Sequence, residues 1–194
     1  MSKLTVTEFI TLDGVVQAPG GSEDTDGGFT EGGWTRAFEH PDIERYLVDA
    51  IAGASSWLVG RKTWEIHGGA FDPMEGDDFA DMVNAMPKYV VSRTLTDTSL
   101  WRNSTVISGD VAARVRELKA REGKPIYVDG SSALVHTLAA NDLVDEWNLL
   151  LYPVSLGGGK KLFPDDVRIN LKLVESRPFP TGVVLMRYEP ERTE

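Results

Sequence analysis

The 194-residue chain carries thirty acidic and twenty basic residues, a formal net charge of -10, and no cysteine. The acidic balance argues against broad binding to nucleic acid or anionic membrane, and the missing cysteine excludes disulfides, thiolate metal sites and cysteine nucleophiles. One domain of this length buries a core without staples, and with Met1 running almost directly into a strand pattern and no apolar run long enough to span a bilayer, a soluble protein in a reducing, cytoplasmic setting is expected.

The first element is an alternating strand over 4–10, which ends in Asp13 and Gly14. Asp13 stands at the mouth of a long loop, where it either orients a polar ligand or caps a turn. The loop, 15–34, holds Gly20, Gly21, Gly27, Gly28, Gly32 and Gly33 beside Glu23, Asp24, Asp26 and Glu31. Its length marks it as functional or as a plain flexible loop, and its acids lack the ligand spacing of an EF-hand. A helix follows Pro41, with Ile43, Tyr46, Leu47 and Ile51 at helical spacing and proline in the first turn.

A buried-strand pattern over 56–59 runs through Gly60 into Arg61, Lys62 and Thr63, the start of a basic helix. Glycine there lets the backbone approach a ligand, and the free N–H groups of a helix start favour an anion; a plain turn with solvated basic residues is the alternative. A helix over 77–86 and a strand over 89–92 come next. Ser92 and Arg93 close that strand at the edge where open α/β sheets bind ligands and where arginine forks onto phosphate, unless they are simply an exposed strand end. A strand over 105–107 and a helix over 111–122, with Asp110 as N-cap, lead to a strand over 126–129. Gly130, Ser131 and Ser132 then suit a pyrophosphate, or a serine merely caps the apolar-periodic helix over 133–140.

Strands over 146–152, 170–176 and 183–189 complete the chain, and the unalternating Leu149, Leu150 and Leu151 are expected to be covered on both faces. Strands alternating with helices imply a parallel α/β sheet, and the short late connections an antiparallel edge. No internal repeat, low-complexity tract or dividing linker interrupts the pattern. Arginine and lysine near two strand ends favour the phosphate that distinguishes NADP from NAD, while the G-x-G-x-x-G fingerprint is absent.

Taken in order, TLDG (11–14), VGRKTWE (59–65), KYVVSRTL (88–95), VDGSSAL (128–134), LVDEWNLLLYPVSLGGGKKLF (143–163) and the closing GVVLMRYEP resemble the dihydrofolate-reductase-like superfamily. Within it they look most like the branch holding the reductase domain of the riboflavin-biosynthesis deaminase-reductase, over almost the whole chain. The resemblance implies a three-layer fold: a mixed, mainly parallel sheet of about eight strands, helices on both faces and an antiparallel C-terminal edge. It implies NADPH as cofactor, loop 15–34 as a lid over substrate and nicotinamide, and a homodimer in many members. Gly60, Arg61, Lys62 and Thr63, with Ser92 and Arg93, would hold the adenosine end and its 2′-phosphate. Gly130, Ser131, Ser132, Ala133 and Leu134 would lie along the pyrophosphate and toward the nicotinamide.

The expected activity is NADPH-dependent reduction of a small polar heterocycle or carbonyl compound, pterin-like or 5-amino-6-(5-phosphoribosylamino)uracil-like. Weak folate reduction is one alternative, and a nucleotide-binding or ligand-sensing protein without turnover is another. Hydride chemistry needs no protein nucleophile, which leaves Asp13 as the catalytic candidate. The sequence departs from dihydrofolate reductases on the substrate side: the tryptophan-leucine-proline-acid signature is missing around Trp34, and Asp42, Glu44 and Asp49 stand in no version of that motif. Asp129 also replaces the first of their paired glycines. The deaminase zinc motif cannot exist without cysteine. Lys160 and Lys161 follow three glycines without P-loop spacing and are read as a strand connection, where a lysine could still touch a substrate phosphate. Trp57, Trp64 and Trp147 are expected in the core, and His40, His67 and His136 form no metal spacing and are assigned structural or surface roles.

Overall fold

The computed structural model describes residues 1–21, 24–165 and 167–191. Glu23 of the loop's acidic group lies outside them. The strands are Leu4–Thr11 (β1), Ser56–Gly60 (β2), Lys88–Val91 (β3), Ser104–Ile107 (β4), Ile126–Val128 (β5), Glu146–Tyr152 (β6), Leu171–Pro178 (β7) and Val184–Pro190 (β8). They form one sheet in the order β4-β3-β2-β5-β1-β6-β8-β7. The pairs from β4 through to β6 are parallel and the two pairs involving β8 antiparallel, giving the mixed, dihydrofolate-reductase-like architecture expected from the sequence. The helices are Pro41–Ala52 (α1), Arg61–Phe71 (α2), Asp78–Ala85 (α3), Val111–Ala120 (α4) and Ser132–Ala140 (α5).

Side-chain alternation divides the core between the two faces of the sheet. Leu4, Val6 and Ile10 of β1, Val128 of β5 and Leu149 of β6 pack with Val115 and Leu118 of α4 and with Leu134, Val135 and Leu138 of α5. On the other face Trp57, Val59 and Val90 pack with Trp64 of α2 and Val83 of α3, while Leu150, Tyr152 and Leu185 pack with Ile43 of α1. Trp57, Trp64 and Trp147 are buried as expected, and so are Leu149 and Leu150, whereas Leu151, expected to be covered with them, is only half-buried. Because β1 to β6 all run the same way, the C-terminal ends of six strands gather at one edge, where Gly60 ends β2 and Asp13, Ser92 and Gly130 follow β1, β3 and β5.

One buried charge was not foreseen. Pro87 has no N–H to give to the carbonyl of Val83, four residues back in the last turn of α3. The Lys88 ammonium takes its place, donating to Val83 O at 2.7 Å and to Asn84 O at 2.9 Å, over the Trp101 ring. Burial pulls the Lys88 amine down to about 8. Lys88→Met fills similar space but strands the Val83 carbonyl, and is expected to lower unfolding free energy by about 1–3 kcal/mol in urea titration.

Candidate functional site

Two helices begin side by side at the strand-end edge. The Gly60 N–H donates to the Gly130 carbonyl at 3.1 Å, which ties the start of α2 to the turn before α5. Gly60 is the N-cap of α2 and Ser131 that of α5, and neither supplies a side-chain cap; the Gly130–Ser131 peptide is cis. The other three helices are capped by side chains, His40 on Asp42 N–H, Asp77 on Ala80 N–H and Asp110 on Ala113 N–H. The bare N–H groups of α2 and α5 therefore converge, with the positive ends of both dipoles, on one edge. Ser131 occupies the capping position without capping, so the simple-cap alternative for that serine is not realised.

The glycines have a packing reason that the sequence did not show. A Cβ on Gly60 would run into the Ser131 side chain, and one on Gly130 would lie 2.9 Å from Thr63 Oγ1, with φ already at +126°. Glycine is required at both places so that the two helix starts can pack together. Around them, Arg61 bonds Glu65 at 2.7 Å and Thr94 Oγ1 at 2.9 Å, joining α2 to the turn after β3. Ser92 is buried, and its hydroxyl accepts the N–H groups of Thr94 and Leu95. Arg93 is exposed at the same corner. Ser132 and Ala133 open the first turn of α5, and the Leu134 side chain points into the core, leaving only its backbone for a ligand.

Loop 15–34 is anchored on the other side of this edge. Trp34 Nε1 donates to Gln17 O at 2.8 Å, and Gln17 Nε2 donates to the carbonyls of Asp24 and Asp26. The Lys62 ammonium reaches Asp24 and Asp26, each at 2.9 Å, and Lys160 reaches the same two carboxylates at 2.8 and 2.7 Å. Burial alone would raise the Asp24 carboxyl, but the two ammoniums hold it well below the usual carboxylate range. Lys62, expected to face a phosphate, is thus engaged by the loop. Asp13 accepts from Thr11 Oγ1 at 2.6 Å and from the N–H groups of Leu156 and Gly157 at 3.2 and 2.8 Å. The Thr11 hydroxyl, followed by those backbone donors, brings its carboxyl down to about 2. Of the two roles open to Asp13, it fills that of turn cap.

Two groups escaped sequence reasoning. Asp129 accepts Trp57 Nε1 at 2.7 Å and pairs with His67 Nε2 at 2.9 Å, a second tie between α2 and the Gly130 turn. Sixty-two residues separate His67 from Asp129, so no local pattern announces the pair. Glu8 is buried in β1, and its Oε1 has no hydrogen-bond partner. Its signal was present in the sequence: it interrupts the apolar phase Leu4, Val6, Ile10. Asp42, Glu44 and Asp49 are exposed on α1, and no group of histidine and carboxylate ligands fit for a metal occurs among the described residues. His40 and His136 fill local structural roles, His136 meeting the Lys161 carbonyl at 2.9 Å.

The shared lysines make loop order a matter of charge. Replacing Asp24 and Asp26 together by asparagine is expected to speed amide exchange across 15–34 at least tenfold while leaving β1 and β6 protected. Unchanged exchange would show that Trp34 and Gln17 anchor the loop alone.

The chain matches the RibD C-terminal domain family over residues 2–185. It is 33% identical over 184 residues to the uncharacterized protein YyaP of Bacillus subtilis (strain 168), covering 92% of this chain and 90% of that one. Its fold is similar to that of a candidate riboflavin biosynthesis protein from Shewanella sp. PV-4, with TM-score 0.74 and 18% identity over 99% of this chain and all of the other. It is also similar to the Thermotoga maritima diaminohydroxyphosphoribosylaminopyrimidine deaminase/5-amino-6-(5-phosphoribosylamino)uracil reductase, with TM-score 0.63 and 15% identity over 97% of this chain and 56% of that longer one. No helix among the described residues is long and apolar enough to cross a membrane. With the family pattern running through the two paired helix starts and the strands that carry them, the chain belongs to the RibD C-terminal domain family, a family of reductase domains.

Proposed function

We propose that this protein is an NADPH-dependent reductase of a small polar heterocycle or carbonyl compound. The observation that carries the reading is the pair of uncapped helix starts at one edge of the sheet, where the other three α-helices among the described residues are capped by side chains. Such N–H groups, left bare and converging, suit the phosphates of a dinucleotide. The backbone of Gly60 to Thr63 and of Gly130 to Ala133 would hold the phosphate chain. Arg93, exposed and forming no ion pair among the described residues, would take the 2′-phosphate with Arg61 beside it. When bound, such a cofactor supplies a hydride. The chain's own work is then to orient the reacting ring at the ends of β1 and β5 and to cover it with loop 15–34.

The exposed acids of α1 speak against folate as substrate, since a carboxylate that recognises a heterocycle works from a water-excluded position. The substrate class is better sought among compounds such as the ribosylaminouracil named for the Thermotoga protein. Fluorescence titration is expected to show tighter binding of NADPH than of NADH. Arg93→Ala should remove about 1–3 kcal/mol of that preference, the range for one charge-assisted phosphate contact. Equal affinity for the two nucleotides in the wild type would reject the assignment. Binding without oxidation of NADPH by any such heterocycle would favour a sensing role instead.

A further inference from the structure

Glu8 lies in the most sheltered part of the sheet, and nothing in the protein accounts for it. β1 is flanked by β5 and β6, and Glu8 keeps 7% of its surface. It is registered with Leu149 on β6; on the other side Val6 pairs with Val128, so two residues on Glu8 comes level with Gly130. Alternation places its side chain on the face of Leu4, Val6 and Ile10, the face from which α5 starts immediately beyond Gly130. The residues packed there from β5, β6 and α5, including Val128, Leu149, Leu134 and Val135, are apolar. No lysine, arginine or histidine pairs with Glu8 among the described residues. The carboxyl that acts on it is Asp129, which is held by Trp57 and His67.

Burial first, and the Asp129 charge second, push the Glu8 carboxyl well above its ordinary value. Its surroundings favour the neutral acid and leave Oε1 without a hydrogen-bond partner, where an isoleucine would have continued the apolar series at no cost. The other acids of the edge are committed elsewhere: Asp13 caps a turn and is ionised, Asp24 and Asp26 hold lysines, and those of α1 are in water.

We propose that Glu8 is the proton-donating carboxyl of the strand-end site, set beneath the Gly130 turn to bond the reacting ring and pass it a proton as the hydride arrives. The inference rests on the reductase reading. As hydride adds to the substrate's electrophilic carbon, the C=N or C=O π pair moves to the heteroatom, which takes the Glu8 proton. The substrate is reduced by two electrons, the nicotinamide is oxidised, and Glu8 is left as a carboxylate that regains its proton from water after product departs.

The test is infrared difference spectroscopy of the wild type and Glu8→Gln, alone and with NADPH, beside fluorescence titration of NADPH. A protonated-carboxyl C=O band at neutral pH, absent from E8Q and shifted when NADPH binds, is the expected result, with NADPH affinity in E8Q changed less than about threefold. The folded-state value of Glu8 is raised, so its stabilising contribution is complete below 4.5 and is lost as pH rises toward that folded value. E8Q, which stays neutral, should therefore match the wild type in melting temperature near pH 4.5 and exceed it increasingly at higher pH. A carboxylate band at neutral pH, lower E8Q stability throughout, or a protonated band that bound NADPH leaves unmoved would each overturn the role of Glu8 alone. Failure of NADPH to bind the wild type would bring down the reductase reading, and this role with it.

Discussion

The site depends on one backbone hydrogen bond, from the Gly60 N–H to the Gly130 carbonyl. It spans 70 positions of sequence and joins the exits of two neighbouring parallel strands. It forms only because neither residue carries a Cβ, since Ser131 fills the space beside Gly60 and Thr63 the space beside Gly130. Either methyl group would push α2 and α5 apart. The Asp129 link to His67 and Trp57 reinforces the same junction from the opposite face of the sheet from α5. The junction sets two helix starts without side-chain caps side by side, where one ligand can reach both.

Local electrostatics at this edge run against the global balance. A net charge of -10 spread over the surface would repel a nucleotide, yet the edge collects Arg61, Lys62, Arg93 and Lys160 with two helix dipoles. Screening limits the reach of the distant acids to about 10 Å at ordinary ionic strength; close by, Glu65 pairs with Arg61, and Asp24 and Asp26 with Lys62 and Lys160, which leaves Arg93 and the two helix starts to meet an arriving anion. The same reasoning isolates Glu8, whose apolar surroundings offer no screening and no counter-charge.

The sheet was legible because its signals are local. Period-two and period-3.6 patterns located the eight strands and the helices between them, and the Asp110 cap was readable from its position before an apolar-periodic run. The site was legible in outline, since glycine, serine and arginine at strand exits mark the edge that binds ligands. What could not be read was how each side chain spends its bonds. Ser131 looks like a cap but faces Gly60; Lys62 looks free but meets acids 36 and 38 residues earlier; Lys88 carries no signal in the sequence yet replaces the N–H that Pro87 lacks. Those are tertiary choices between competing partners. Glu8 was the one readable exception, a carboxylate out of phase in an alternating strand.

The lysines shared by Asp24 and Asp26 turn ligand capture into an exchange reaction. An anion that approaches Lys62 or Lys160 must displace carboxylates already seated there, so its apparent affinity is the intrinsic one reduced by the fraction of molecules in which the loop has let go. A loop engaged 99% of the time would weaken binding about a hundredfold. Salt weakens the internal pairs and the external one together, so the salt dependence of binding would be flatter than the number of charged contacts suggests. Selectivity gains from the arrangement: small monovalent anions compete poorly against two tethered carboxylates, whereas a ligand that also engages the helix starts can prevail.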